Sequence, residues 1–338
     1  MQLRWRSSAS LTSAPLLACF LSQAAIADDR PELSLPLACQ PHKTCFIQTY
    51  VDIDPGKGIK DYMCGSATYD QHSGVDFRLL SATATKTPVA VLASADGTVK
   101  AVRDGVADVF LKKAKPQDVA GRECGNGVIL DHGGGWETQY CHVRQGSVHV
   151  TKGQAVKRGD QLGEVGFSGM ADFAQVFLSV RHDSKVVDPF LPDAVDGKCD
   201  PNARGPGLWE PSAAAAFPYK NGETIGAEFV GAPPDVNALE VNDRDVVPLT
   251  PTSPAIVLYG RFINLKKGDR IHFVASGPTG ALFDESAGPL DRNKVTFVAF
   301  AGKRRGNDPW PTGRYDGRVA LVRDGGVIAT NVVTFELK

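Results

Sequence analysis

His72-Ser73-Gly74-Val75-Asp76 places an imidazole and a carboxylate four residues apart. In a loop or bent strand both side chains can turn to one side, giving a nitrogen and an oxygen ligand for a metal such as zinc. Alone the spacing is a weak signal, because an exposed histidine near a surface aspartate arises often by chance. A second imidazole, His142, stands in Tyr140-Cys141-His142-Val143. The remaining histidines lack such company. His132, in Asp131-His132-Gly133, reads as a surface hydrogen-bonding residue. His42 and His149 read as exposed polar residues, and His272 shows no site spacing.

Side chains this far apart in sequence can meet only if short strands carry them together, and the composition supports that. The 338 residues include 35 Gly and 22 Pro, and long helical patterns are rare. From 61 to 196 short apolar runs alternate with turns. Val89–Ala93 and Thr98–Val102 flank Asp96-Gly97, a hairpin signal. Val128–Leu130, Val148–Val150, Gln161–Val165 and Val176–Val180 continue the pattern. Residues 28–60 read as an irregular leader. Residues 197–216, with Pro201, Gly205-Pro206-Gly207, Pro211 and an alanine run, have linker composition open to proteases. Residues 217–338 again read as strands at turn-separated intervals, ending in the hairpin signature Arg323-Asp324-Gly325-Gly326. The fold class expected is mainly β, with an immunoglobulin-like β-sandwich over 217–338.

The charge balance narrows the partners. With 37 basic and 38 acidic residues the formal net charge is −1, so no basic excess favours nucleic acid. No apolar run beyond residue 30 is long enough for a membrane-spanning helix. Residues 1–27 read as a signal peptide: Arg4 and Arg6, an apolar stretch, then Ala25-Ile26-Ala27 before Asp28-Asp29. Its removal leaves 35 basic residues against 38 acidic, a net −3. Leu16-Leu17-Ala18-Cys19 also resembles a lipoprotein box, with Cys19 as the lipidated residue. The expected location is therefore periplasmic or secreted, with a lipid anchor at Cys19 as the alternative. After removal six cysteines remain: Cys39, Cys45, Cys64, Cys124, Cys141 and Cys199. An even number behind an export signal predicts three disulfides, although six cysteines allow 15 pairings. Cys39 and Cys45 close a small loop. Cys124 and Cys141 flank a Gly-rich hairpin that would bring them opposite each other.

Further segments stand in order with His72-Ser73-Gly74-Val75-Asp76 and His142: Val89–Val99, Val128–Gly133, Lys152-Gly153-Gln154, Gly159-Asp160, Gly163–Gly166, Ser168-Gly169 and Val187-Asp188-Pro189. Over residues 62–192 this ordered set resembles the M23 (LytM/lysostaphin-like) zinc metallopeptidases, which cut peptide crosslinks of bacterial peptidoglycan. The cysteines suggest a periplasmic branch of that family. The resemblance implies an antiparallel β-sheet groove of duplicated-hybrid-motif type. It implies His72 and Asp76 as zinc ligands and His142 as a catalytic residue lining the groove.

The family's third element, an H-x-H before Val187-Asp188-Pro189, falls on Gln175-Val176-Phe177. Both histidines are missing. Phe177 occupies the third ligand position, and Gln175 cannot act as a general base. On a strand, residues 175, 177, 179 and 181 share one face, so His182 lies on the other. A catalytic zinc normally has three protein ligands and an activated water. Zinc is therefore expected to bind weakly or not at all. The reading that follows is a degenerate domain that binds peptidoglycan or regulates a cell-wall hydrolase. The alternative is an active zinc endopeptidase whose third ligand lies elsewhere.

Overall fold

The computed structural model describes residues 29–110, 116–194, 197–202 and 205–338. The expected signal peptide and Cys19 lie outside the described residues. The N-terminal half carries ten strands: β1 Cys45–Thr49, β2 Val75–Leu79, β3 Ala90–Leu92, β4 Gly97–Arg103, β5 Asn126–Gly133, β6 Trp136–Val143, β7 Ala155–Val156, β8 Gln161–Glu164, β9 Gln175–His182 and β10 Lys185–Val187. Its main sheet runs β1-β2-β9-β6-β5-β4-β7, with β10 on β9, while β3 and β8 form a separate ribbon. Every strand pair is antiparallel.

Period-two alternation fixes which way the sheet faces. Val75, Phe77 and Leu79 of β2 point into the core with Val176, Leu178 and Val180 of β9, all at most 1% exposed. Asp76 and Arg78 take the opposite face. They too are buried, so β2 reads as five buried residues with no alternation of burial.

Three sequence expectations need correction. The segment 28–60 is not an irregular leader throughout, because Cys45–Thr49 pairs with β2 as the edge strand and is buried along its length. Both faces of β1 are covered, so it lacks the alternation that marks a strand in sequence. The segment 197–216 is not a free linker. Leu208, Trp209 and Ala213 are at most 4% exposed, and Phe217 joins them in the core. Leu33 N–H donates to the Leu208 carbonyl at 2.7 Å, and Glu210 N–H to the Leu33 carbonyl at 2.9 Å. Resistance to proteases from 208 to 217 follows. Lastly, β3 and β4 do not form a hairpin, since β3 pairs with β8, and β4 with β5 and β7. Gly97 serves close approach instead: a Cβ there would stand 2.7 Å from the Asp131 carbonyl oxygen.

The three disulfides are Cys39–Cys45, Cys64–Cys199 and Cys124–Cys141. The last closes the β5–β6 hairpin, whose turn uses Gly133, Gly134 and Gly135 at positive φ.

The C-terminal half has seven strands: β11 Glu223–Val230, β12 Ala255–Leu265, β13 Arg270–Gly277, β14 Gly280–Ala287, β15 Lys294–Arg304, β16 Gly313–Arg323 and β17 Gly326–Leu337. They form two sheets, β11-β12-β15 and β14-β13-β16-β17. Phe229, Leu258 and Phe262 of one sheet share a core with Phe273, Tyr315 and Val319 of the other. The β16–β17 hairpin turns through Asp324 and Gly325, both at positive φ, as a tight two-residue turn requires.

The halves meet over the end of β2. Arg78, fully buried, donates to Gln48 Oε1 at 2.8 Å, to the Leu79 carbonyl at 3.1 Å, and to Glu240 Oε2 at 2.6 Å. Arg261 donates to the Leu80 carbonyl at 2.7 Å, and Asn264 to the Gln48 carbonyl at 2.8 Å. Phe46, Ile225 and Ile263 pack between them. Arg78→Ala would leave Gln48 Oε1 without its donor and Glu240 paired with Arg261 alone, so the cost should stay below the about 3–5 kcal/mol of leaving a buried charge uncompensated. The expected result is a lower denaturation midpoint with loosening of the two halves, read by urea melts and by new proteolytic cuts near residue 240.

Asp188 supplies a second test. Burial pushes its carboxyl up to about 7, and the Asp61 charge adds to the effect, while the Phe190 and Leu191 N–H groups work against it. Asp188 Oδ2 has no hydrogen-bond partner. An unfolded aspartate titrates near about 3.9. Between about 4 and 7 the native state therefore keeps a proton that the unfolded state has released, and stability falls as pH rises through that window. Asp188→Asn should flatten the dependence of the melting temperature on pH between 4 and 7. An unchanged profile would place the titrating group elsewhere.

Candidate functional site

β2 and β9 bring the candidate residues together. In their register Asp76 faces Phe177 and Arg78 faces Gln175. His72 enters from the loop just before β2, and His142 sits near the end of β6, the strand on the other side of β9. His72, Asp76, His142 and Gln175 are each at most 6% exposed.

His72 Nδ1 lies 2.8 Å from the Tyr50 carbonyl, which can only accept, so Nδ1 carries the proton. Nε2 is turned towards Asp76, 3.3 Å from Oδ2, with no well-formed hydrogen bond. Burial disfavours the charged imidazole, but the Asp76 carboxylate outweighs it and holds the His72 pKa above the ordinary value. Asp76 shows the reverse balance. Burial would raise its pKa, yet His72 and the Thr49 hydroxyl, which donates to Oδ2, bring it below the usual range. Thr49 reaches this position because β1 pairs Thr49 with Asp76.

His142 is held by its backbone. Its φ is +64°, its N–H donates to the Cys124 carbonyl at 2.9 Å, and Nδ1 donates to the Ser168 carbonyl at 2.8 Å. The Cys124–Cys141 disulfide braces the same turn. Burial lowers the pKa of His142, which keeps it neutral near pH 7.

The ring of Phe177 stands between the two imidazoles, 5.5 Å from His72 and 6.3 Å from His142 between centroids. Gly74 lets it pack there, since a Cβ at that position would come within 2.6 Å of the ring. His72 and His142 thus lie against Phe177, which pairs with Asp76, whereas Gln175 pairs with Arg78. The side that needs a third ligand presents an apolar ring. Among the described residues no group of three His, Cys, Asp or Glu side chains is placed to hold a metal. His72 and Asp76 alone do not fit a catalytic zinc, which takes three protein ligands. His182 offers no substitute: it stacks on Trp136 at 4.4 Å and approaches the Gly134 carbonyl at 3.1 Å.

The remaining histidines are placed away from the pair. His132 bonds the Asp96 carbonyl and Thr138 Oγ1, both at 2.7 Å. His42 is not simply exposed. It is half-buried at the junction, 2.7 Å from Glu223 Oε1 and 3.0 Å from Lys220 Nζ. Lys220 and Glu223 are three residues apart, but His42 lies far away in sequence, so only the tertiary fold brings it to them.

An open groove of about 360 Å³ runs over His72, His142 and Phe177, bounded by Tyr69, Met170 and Arg181. Tyr69 packs on His72 at 4.3 Å between ring centroids. Sequence reasoning missed Thr49, Tyr69, Met170 and Arg181. Tyr69 stands three residues before His72, the one available cue; the others depend on strand pairing.

Residues 70–189 match the model of Peptidase family M23, in agreement with the resemblance read over 62–192. The cell division protein DipM of Caulobacter vibrioides is 38% identical over 68 residues, 20% of this chain and 11% of that protein. The chain thus spans only a small part of that relative. Among solved structures, the catalytic domain of a mutant of the prophage-encoded M23 protein EnpA from Enterococcus faecalis is 19% identical. That match covers 49% of this chain and 95% of the other, with a TM-score of 0.31. The SpoIIQ–SpoIIIAH pore forming complex gives 18% identity over 48% and 91% of the two chains, with a TM-score of 0.34. A zinc containing peptidase from Vibrio cholerae gives 23% identity over 43% and 39%, with a TM-score of 0.27.

The double change Gln175→His and Phe177→His tests the site. Replacing the ring leaves a small void and a buried polar group, about 1–3 kcal/mol before metal binds. Titration calorimetry with zinc should show one tight site in the double variant and none in the parent. Saturating zinc at a hundred times its Kd adds about 2.7 kcal/mol, so the variant's melting temperature should rise with zinc. Tight stoichiometric zinc in the parent would point to a third ligand outside the described residues. No binding by the double variant would mean that residues 175 and 177 do not face the pair as described.

Proposed function

We propose that this chain is an exported cell-envelope protein whose M23-type domain binds the peptide part of peptidoglycan, or engages a cell-wall hydrolase there, without cutting. The observation that carries the reading is the ring of Phe177, set at the third-ligand position between His72 and His142. Hydrolysis by this chemistry needs a metal-activated water and a base. Binding an extended peptide needs only a groove with hydrogen-bonding groups along it. The groove keeps His142, Gln139 and Arg181, and Arg181 donates to Gln139 Oε1 at 2.6 Å.

Export rests on the three disulfides, which persist in oxidising compartments. No helix of the described residues is long and apolar enough to cross a membrane. We read the C-terminal sandwich as immunoglobulin-like. Two features favour that: its two sheets of three and four strands, and Tyr315, whose hydroxyl donates to the Pro311 carbonyl at 2.7 Å as in a tyrosine corner.

Sedimentation with insoluble peptidoglycan tests the reading. The purified protein should pellet with the wall and release no soluble fragments, with or without added zinc. Zinc-dependent release abolished by His72→Ala would establish a peptidase. Failure to pellet, with or without a cell-wall hydrolase present, would remove the wall-binding reading.

A further inference from the structure

We infer that the cleft where the groove meets the C-terminal sandwich is a subsite for a primary ammonium group, borne by a lysine-like side chain of the bound peptide. This inference rests on the peptide-binding reading above and specifies what the groove's closed end selects. The cleft holds about 380 Å³ and shares Tyr69 and Met170 with the groove. That size lies in the range of small-ligand sites, about 300–1,000 Å³. Thr49, Phe173 and Gln175 wall it from the M23-type side, and Val295 and Thr296 of β15 from the sandwich. The sandwich therefore forms one wall of the cleft.

The chemistry is that of an acceptor site. Gln175 is only 4% exposed, lines the cleft, and its Oε1 has no hydrogen-bond donor. Three neighbouring donor side chains are engaged elsewhere. Gln48 Nε2 donates to the Val295 carbonyl at 2.9 Å, Thr49 Oγ1 donates to Asp76, and Arg78 donates to Gln48 and Glu240. Glu240 already lies between two cations, Arg78 and Arg261. Asp172 adds an exposed carboxylate to the lining, with Asp76 deeper in. A ligand fitting this lining must bring donors and positive charge. An ammonium supplies three donors on a flexible apolar stem. The rings of Tyr69 and Phe173 offer that stem apolar walls. An anionic group would meet carboxylates and an unpaired carbonyl oxygen.

The probe is Nα-acetyl-L-lysine methylamide, with its Nε-acetylated form and the norleucine analogue as controls, titrated calorimetrically into the full protein. The lysine probe should bind at least about tenfold more tightly than either control, because a site built to pair a donor rejects ligands lacking it. Gln175→Leu and Asp172→Asn should each weaken it by about tenfold, since each removes a bond to a charged group. Asp172 is exposed, so its variant should keep the parent's melting temperature and separates lost binding from lost folding. Equal binding of the acetylated probe, no binding of the lysine probe at millimolar concentration, or unchanged affinity in both variants would overturn the subsite. Wall sedimentation separates the two claims. A protein that pellets with peptidoglycan but ignores the lysine probe loses the subsite alone. One that binds the probe but not the wall loses the wall reading and keeps the subsite.

Discussion

The pairing of β2 with β9 is the constraint on which both functional regions depend. Their register is set by the core, where Val75, Phe77 and Leu79 interdigitate with Val176, Leu178 and Val180. A slip of one residue would turn the β9 aliphatics out and drive Gln175, Phe177 and Ser179 in. Burying each aliphatic side chain contributes about 1.5–3 kcal/mol, so the slipped register is disfavoured by several kcal/mol. The core thereby decides which residues face the opposite side, although none of its own side chains takes part there.

That opposite side is divided along its length. Phe177 lines the groove, whereas Asp76 and Gln175 line the cleft at the junction with the sandwich, and Arg78 is buried at that junction. A buried guanidinium gains little net stability from an ion pair, because desolvation offsets most of the attraction. What the fold supplies for Arg78 is a set of acceptors: Gln48 from β1, the Leu79 and Leu80 carbonyls, and Glu240 from the short helix Ala238–Val241. The acceptors belong to three different pieces of chain. Satisfying one cation therefore fixes the edge strand, the end of β2 and the sandwich relative to one another. The closed end of the groove is a product of that arrangement.

Much of this was legible in the sequence, and the limits have physical causes. The mainly β class, most strands of the N-terminal half (Val148–Val150 forms none), and the Cys39–Cys45 and Cys124–Cys141 pairs follow from turn residues and local spacing. His72, Asp76 and His142 were placed by ordered motifs, and Gln175 and Phe177 by counting back from Val187-Asp188-Pro189. Local signals failed where the partner was distant. Asp96-Gly97 looks like a hairpin turn, yet Gly97 answers to the Asp131 backbone. Cys45–Thr49 shows no alternation because both of its faces are covered. The segment 197–216 has the composition of a linker, but Leu208 and Trp209 are anchored through Leu33, more than 170 positions away in sequence. Cys64 and Cys199 likewise lie 135 residues apart, beyond any local rule.

The Phe177 ring bears on the state of both neighbouring imidazoles. The ring packs against both His72 and His142, and burial acts against the charged form of each. The outcomes differ because their neighbours differ. His72 has the Asp76 carboxylate beside it and stays the more basic of the two, while Thr49 shares the carboxylate's charge. His142 has only the Ser168 carbonyl at Nδ1, so it is held neutral with that proton fixed. A neutral imidazole in this tautomer can accept a peptide N–H at Nε2. The two imidazoles beside the Phe177 ring thus differ in state, one raised in pKa by a neighbouring carboxylate and the other held neutral by burial.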